Sequence, residues 1–572
     1  MEPIFFKDGL NVVYGDVEET ESKDEHNLGK TSLVHLIDFL LLKGVTKDNL
    51  FGKFKNKFDG WVFYIELKMA PDRYLTIKRS VSQPNLVSFK EHVAPNQDFS
   101  NEEEWDYKGI KMQARKSDDA ITILERYLNF DVIPGFSARF PLAYLLRTQY
   151  DYSDIFRMPE FRGADIEWKP ALFELLGFDS KSVIEKYKID SEIDILGEMV
   201  KRSHVSKSED VFRLQAVISE KERELARVKG QRDKFDFYFS EKEINTELVQ
   251  TIENKIGRLN SERYRLEYEI ERATSSLQNN TVVDLDEIKS VFEEVKVYFP
   301  DNLRKNYEDL LSFNSQISKE REKYLKDELK DSTTQLETTS SQLRLLNKEK
   351  AEMLEILRET DTFQKYKLLE GEINKLEEHL VQLRQKNADL NAAEGYKKRI
   401  EALRDEAKKF SSLTEDSIKK GSPVFDNIRA RFGDIFKEVM RGTAVLVSNI
   451  NREGNPYFES VTFNTEESDE ITGKGQGYTA TKVQCAAFVI SLLCEYSSKR
   501  FYKFAYHDGI LEGWGDNPKL RFIQQVRELC SMYDIQFIFS IIKSDLPKTP
   551  LFKEGEKILT LDKAKPLFGF EF

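Results

Sequence analysis

The sequence predicts an α/β body assembled from the two ends of the chain, with a long antiparallel coiled-coil insertion between them. Three observations predict it. Strand-like runs alternate with apolar helical runs before residue 180 and again after residue 420. Between Pro170 and Pro423 the one proline is Pro300. Proline removes a helical donor and clashes with the preceding turn, so its scarcity permits long helices. Two stretches inside this zone repeat apolar residues at threes and fours, the spacing of helices that bury one stripe against a neighbour.

The 572 residues exceed a single compact core. One third of them are charged, and no run approaches the roughly 20 apolar residues that span a bilayer. The start, MEPIFFKDGL, lacks the basic and apolar regions of a secretion signal, so the expected location is the cytoplasm with no membrane partner. Cys485, Cys494 and Cys530 fit neither a disulfide framework nor a CxxC metal site and read as small buried residues. The net charge of −13 argues against a protein coated in positive potential but leaves room for a local basic stripe.

Residues 1–180 form the first half of the body. PIFF, NVVYG, WVFYIELKM and RYLTIKRS read as strands. After NVVYG (Asn11–Gly15), the run Asn27-Leu28-Gly29-Lys30-Thr31-Ser32 opens a helix through LVHLIDFLLL. A GK[ST] tripeptide at a strand-to-helix junction ends a phosphate-binding loop. Backbone N–H groups at the helix start face the phosphates, the lysine binds the β- and γ-phosphates, and the hydroxyl holds Mg²⁺. Gly15, Asn27, Gly29, Lys30, Thr31 and Ser32 are therefore the candidate ATP-binding residues, with Thr31 on the metal. The usual loop has four residues between its first glycine and the GK pair. Here thirteen polar-rich residues separate Gly15 from Gly29.

Residues 181–279 and 326–420 are the two expected arms. Leu214, Ile218, Leu225 and Val228 begin the first seam, and Ile252, Ile256, Leu259, Leu266 and Ile270 continue it. The second seam is Leu369, Ile373, Leu376, Leu380, Leu383 and Leu390, with Asn387 at one position. The segment 280–325, centred on Pro300, is the expected apex. One arm out and one arm back brings residues near 180 and 420 together.

Residues 421–572 form the second half. AVLVSNI, SVTF, KFAYHD and IQFIFSII read as strands. Phe504–His507 is a mostly apolar run ending in Asp508, a carboxylate placed to bind Mg²⁺ at the end of a buried strand. About 30 residues earlier, GKGQGYTATK (Gly473–Lys482) is a glycine loop opening a second apolar helix. Arg429, Arg431, Lys437 and Arg441 cluster where the second arm re-enters the body, a candidate set for DNA backbone contacts, which need only cations at phosphate spacing. A solvated face paired with neighbouring glutamates is the alternative. The arms contain no CxxC, so a zinc hook is not expected.

The order of these parts resembles the SMC/Rad50-like ABC ATPases, and more closely the ATPase subunits of Lamassu-type and related ABC three-component anti-phage systems. NLGKTSLVHLIDFLL, QYDYSDIF, LFELLGFD, KVYFPDNL, YHDGILEGWGD and ILTLDKAKPLFGFEF carry the resemblance. It implies an ABC-type ATPase head. Asp508 would be the Walker B carboxylate, and Gln149 the Q-loop residue that senses Mg²⁺ and the γ-phosphate. Gly475, Gly477, Thr479 and Thr481 would belong to the signature loop that closes on the nucleotide of a second copy. The family usually has a glutamate after the Walker B aspartate. Here Gly509 stands there, so Glu512 is the expected substitute, Asp516 the D-loop candidate, and hydrolysis is expected to be slow. The implied partners are a second copy through the heads, DNA, an effector of the nuclease kind and a small accessory subunit. The rival readings are a repair ATPase of the Rad50 or RecN kind and a non-hydrolysing coiled-coil scaffold.

Overall fold

In a computed structural model of the full chain, the described residues are 2–16, 28–112, 119–159, 161, 165–202, 211–233, 246–278, 301–354, 361–463, 477–547 and 549–570. They divide into two units. One comprises Met1–Tyr187, Asp286–Tyr307 and Lys408–Phe572, and the other Lys188–Leu285 and Glu308–Ala407.

The first unit is built around a five-stranded parallel sheet drawn from both ends of the chain. Its strands are β1 (Leu10–Gly15), β6 (Leu146–Arg147), β9 (Phe504–His507), β10 (Gln536–Ile542) and β11 (Lys557–Leu561). Their order is β11-β1-β10-β9-β6. All six residues of β1 are buried, as expected of a central parallel strand covered on both faces. An antiparallel sheet holds β2 (Val62–Ala70), β3 (Arg73–Ser80), β4 (Leu86–His92) and β5 (Tyr107–Lys111), and a separate hairpin holds β7 (Thr443–Ile450) and β8 (Pro456–Phe463). Of the eight runs read as strands, PIFF alone lies outside any strand. Its neighbours Glu2 and Lys7 lack the alternation that marks a half-buried strand.

Helix α1 (Lys30–Leu40) follows β1 and is apolar on most of its surface. Two buried arginines secure its C-terminal end, where backbone carbonyls lack helical partners. Arg79 donates to the carbonyls of Phe39 and, at 2.8 Å, of Lys43, while Arg139 donates to the carbonyl of Leu41 and to the Asp38 carboxylate. Helix α2 (Pro423–Met440) starts at Ser422, whose hydroxyl accepts from Phe425 N–H at 3.2 Å, with proline at the first helical position. The same hydroxyl donates to the carbonyl of Leu176 at 2.9 Å. The expected closeness of residues near 180 and 420 is thus a direct hydrogen bond. Helix α3 (Tyr478–Glu495) is buried on nearly every side and forms the centre of the head core.

The second unit is helical. Its elements lie in α4 (Lys181–Arg202), α5 (Val211–Asp233), α6 (Thr246–Gln278), α7 (Asp301–Leu354) and α8 (Asp361–Lys420). The predicted seams are present. Val228 packs with Ile373 and Leu376, flanked by Leu225 and Leu369, and Ile252 and Ile256 pack with Leu343, flanked by Leu259 and Leu346.

The course of the chain differs from a single out-and-back path. Helix α5 runs antiparallel to α8, because Glu222 pairs with Arg384, Lys229 with Glu377 and Arg232 with Glu370. Helix α6 runs parallel to α8, because Glu253 meets Tyr366 and Tyr268 meets Asp389. It also lies against α7, through Lys350 and Glu253. Glu253 with Lys350, and Ile256 and Leu259 beside Leu343 and Leu346, set α6 antiparallel to α7, so direction alternates along α5, α6, α7 and α8. Of the segment 280–325 read as the apex, residues 280–300 lie outside the described residues and the rest is continuous helix within α7. A heptad stripe reports that a face is buried; it does not report the direction or number of the neighbours.

Candidate active site

The strands of the parallel sheet all end at one edge, where ligands of open α/β sheets bind. Gly15 ends β1, His507 ends β9 and Ile542 ends β10. Thirteen residues intervene between Gly15 and Gly29, yet the fold returns them to each other. A Cβ built on Gly15 would meet Leu28 Cδ1 at 3.3 Å, Ile542 Cγ2 at 3.2 Å and Lys30 Cδ at 3.6 Å. Gly29 has φ of 93° and precedes the first turn of α1. A side chain there would strike Leu567, whose N–H donates to the carbonyl of Leu28 at 3.1 Å.

Lys30 is buried, with 9% of its surface exposed. Burial pushes its ammonium below the ordinary lysine range, opposed by the nearby Asp508, Glu512 and Asp545 carboxylates. The Thr31 hydroxyl donates to one carboxylate oxygen of Asp508, and Ser540 donates to the other. Asp508 is 2% exposed. Its backbone is held as firmly, with its N–H donating to Arg147 O at 2.8 Å and its carbonyl accepting from Tyr152 at 3.1 Å. Tyr506 donates to Lys30 O at 3.2 Å and ties the helix start to β9. Two hydroxyls and a carboxylate at the positive end of a helix suit a hard cation and an anion bound together.

The turn after Asp508 brings Glu512 back over Gly509. Gly509 has φ of 63° in the left-handed region, and a Cβ there would lie 3.1 Å from Glu512 Oε2 and 3.2 Å from Oε1. The Glu512 carboxylate thus occupies the space that a side chain at 509 would enter. Lys482, fully buried on α3, donates to Gly509 O at 2.7 Å and pairs with Glu512 Oε2 at 3.5 Å.

Gln149 is half-buried two residues beyond the end of β6, on the same sheet edge as Asp508. Ser32 is buried in the first turn of α1. Asn27 and Gly475 lie outside the described residues. Gly477 precedes α3, Thr479 donates to Gly513 O at 3.4 Å, and Thr481 donates back to Gly477 O at 3.3 Å. Asp516 begins helix α9 (Asp516–Tyr533) and is exposed.

The four basic residues of α2 do not share one environment. Arg429 pairs with Asp426 at 2.6 Å, Arg441 with Glu438 at 3.3 Å, and Lys437 is exposed. Arg431 turns inward, donating to the Tyr533 hydroxyl at 2.9 Å, with its guanidinium 4.8 Å from that ring and 3.8 Å from the Glu495 carboxylate.

Sequence reasoning missed Lys482, Tyr152 and Ser540. Ser540 had a signal, a lone polar residue inside the buried strand FSII. Tyr152 sits in the QYDYSDIF run already marked. Lys482 ends the GKGQGYTATK run and carries no signal of its burial in the sequence.

A family model described as "Uncharacterised protein conserved in bacteria (DUF2326)" matches residues 435–572. No curated protein matches the chain. Among solved structures, the Smc head domain with a coiled coil and joint from Pyrococcus yayanosii is similar at 13% identity, covering 94% of this chain and 88% of that one, with a TM-score of 0.34. The Smc head domain with an extended coiled coil, bound to the C-terminal domain of ScpA, from Pyrococcus furiosus is similar at 11% identity, covering 95% and 85%, with a TM-score of 0.33.

Proposed function

We propose that the chain is an SMC-like ATPase, binding Mg²⁺-ATP at Lys30, Thr31 and Asp508 and hydrolysing it slowly. The observation that carries this reading is the hydrogen bond from Thr31, in the first turn of α1, to Asp508, at the end of β9. A phosphate-loop hydroxyl and a strand-end carboxylate in contact are the two protein oxygens that such a site needs for its metal. Lys30 and the free N–H groups of α1 take the β- and γ-phosphates. Bound Mg²⁺ supplies charge neutralisation on the phosphate oxygens. Gln149, two residues past the end of β6, would complete the polar lining. Glu512 orients the attacking water in place of the usual residue at 509.

Closure by the glycine loop of a second copy, through Gly475, Gly477, Thr479 and Thr481, makes hydrolysis depend on a head-to-head dimer. Contacts with DNA, with an effector and with a small accessory subunit in an anti-phage complex extend the reading. They rest on the sequence resemblance, and the DNA surface on the exposed cations Arg429, Lys437 and Arg441.

The test is ATP turnover by the purified chain, with and without linear DNA, beside Lys30→Ala. The reading expects turnover that is stimulated by DNA and falls by about two orders of magnitude in the variant, with nucleotide binding lost. A Lys30→Ala protein that binds ATP, dimerises on it and supports defence like the wild type overturns it.

A further inference from the structure

We propose that Lys482 is a positioning residue that sets the Glu512 carboxylate over Gly509, in the turn after Asp508, and makes its placement depend on helix α3. The inference rests on the reading of Glu512 as the group that orients the attacking water.

A lysine ammonium has three donors and no acceptor, and burying it is costly unless its charge and its donors are satisfied. Lys482 is 0% exposed. Its Nζ lies 2.7 Å from Gly509 O, 3.5 Å from Glu512 O and 3.5 Å from Glu512 Oε2. All three partners belong to the four-residue turn that follows Asp508. Two aromatic rings close the rest of the shell, Tyr478 at 4.6 Å and Tyr152 at 5.5 Å. Tyr152 itself donates to the carbonyl of Asp508 at 3.1 Å. The ammonium is therefore enclosed by groups attached to the site.

The arrangement decides where Glu512 points. Its side chain is 38% exposed, so without a fixed cation the carboxylate would favour water. Lys482 instead holds it over Gly509, in the space a residue-509 side chain would use. The anchor sits on the second turn of α3, one turn beyond Tyr478 and close behind Gly477. Any shift of the start of α3 carries the ammonium with it. The start of α3 is thus wired to the Glu512 carboxylate through one buried charge. A neutral side chain of similar length would fill the volume and lose this link.

The experiment is a double-mutant cycle on the full chain with Lys482→Met, Glu512→Gln and the pair, reading ATP turnover (kcat and KM) and binding of MANT-ATP. The proposal expects Lys482→Met to lower kcat by about 10- to 100-fold with KM and MANT-ATP affinity within about twofold. In the Glu512→Gln background the same change should have no further effect, because the lysine acts through that carboxylate. Lys482→Arg, which keeps the charge, should retain more turnover than Lys482→Met. Losses that multiply in the pair, beside an active wild type and an impaired Glu512→Gln, overturn this proposal alone. An inactive wild type, or a fully active Glu512→Gln, overturns the reading beneath it. If Lys482→Met, Lys482→Gln and Lys482→Arg all lose nucleotide binding together with turnover, the lysine is a structural strut and the proposal falls.

Discussion

Thr31 and Asp508 are separated by 477 positions in sequence and joined by a hydrogen bond between hydroxyl and carboxylate. In the proposed function that contact is the metal side of the site. Thr31→Ala should weaken ATP binding in the presence of Mg²⁺ by about 10-fold or more and leave metal-free nucleotide binding nearly unchanged. Thr31→Ser, which keeps the hydroxyl, should behave as wild type. Isothermal titration with and without Mg²⁺ separates the outcomes, and equal weakening in both conditions argues against a metal role.

A glutamate placed at 509 should not speed hydrolysis. Gly509→Glu places a side chain where φ is 63° and where Glu512 already lies 3.1 Å from the new Cβ. Adopting the left-handed region costs a non-glycine residue about 1–2 kcal/mol. The expected result is a lower melting temperature and turnover no higher than wild type, measured by thermal unfolding and phosphate release.

The pair of Asp38, in the last turn of α1, and the buried Arg139 gives a pH signature. Burial raises the Asp38 carboxyl, but Lys43 and Arg139 outweigh it and hold the group near 2, down from 3.8. A carboxylate depressed in the folded state adds stability that is complete above its unfolded value and is lost as pH falls through the folded one. The window runs from about 4 down to about 2, and the contribution is about 2 kcal/mol. Asp38→Asn leaves Arg139 buried beside a neutral group and should destabilise the head by about 3 kcal/mol at neutral pH. Its unfolding should also depend less on pH across that window than the wild type's, as followed by circular dichroism.

The basic set on α2 divides by what each residue touches. Arg431→Ala removes contacts to Tyr533 and Glu495 and should lower the melting temperature. Lys437→Ala, at an exposed position, should leave stability within about 0.5 kcal/mol. If α2 meets DNA, Lys437→Ala should weaken binding of a labelled duplex and reduce its salt dependence, because it removes one phosphate contact. Fluorescence anisotropy at two salt concentrations reads both quantities.

Much of this head was legible because its signals are local. Lys30 and Thr31 stand between an apolar strand and an apolar helix, and Asp508 ends an apolar run, so the place of each at a strand end or helix start follows from its own neighbours. Gly15 was harder, since its meeting with Lys30 depends on a return across thirteen intervening residues. Lys482 and Ser540 act through partners distant in sequence, and no periodicity announces such pairs. In the insertion, Val228 and Ile373 were correctly assigned to a seam. The path was not, because the parallel run of α6 beside α8 uses the same apolar spacing as an antiparallel one.

Strand β1 lies between β10 and β11, so both of its edges are completed by segments near the other end of the chain. During synthesis, Leu10–Gly15 emerges first and waits for Gln536–Leu561 before it has a hydrogen-bonding neighbour. The helical insertion is made in that interval, and its pairings do not need the sheet. Loop closure over such a separation is slow, and an exposed apolar strand is prone to mispair. A ribosome that stalls before residue 536 would release a chain with formed helices and no central sheet. Such a product would have Lys30 without the strand framework that surrounds it in the folded chain.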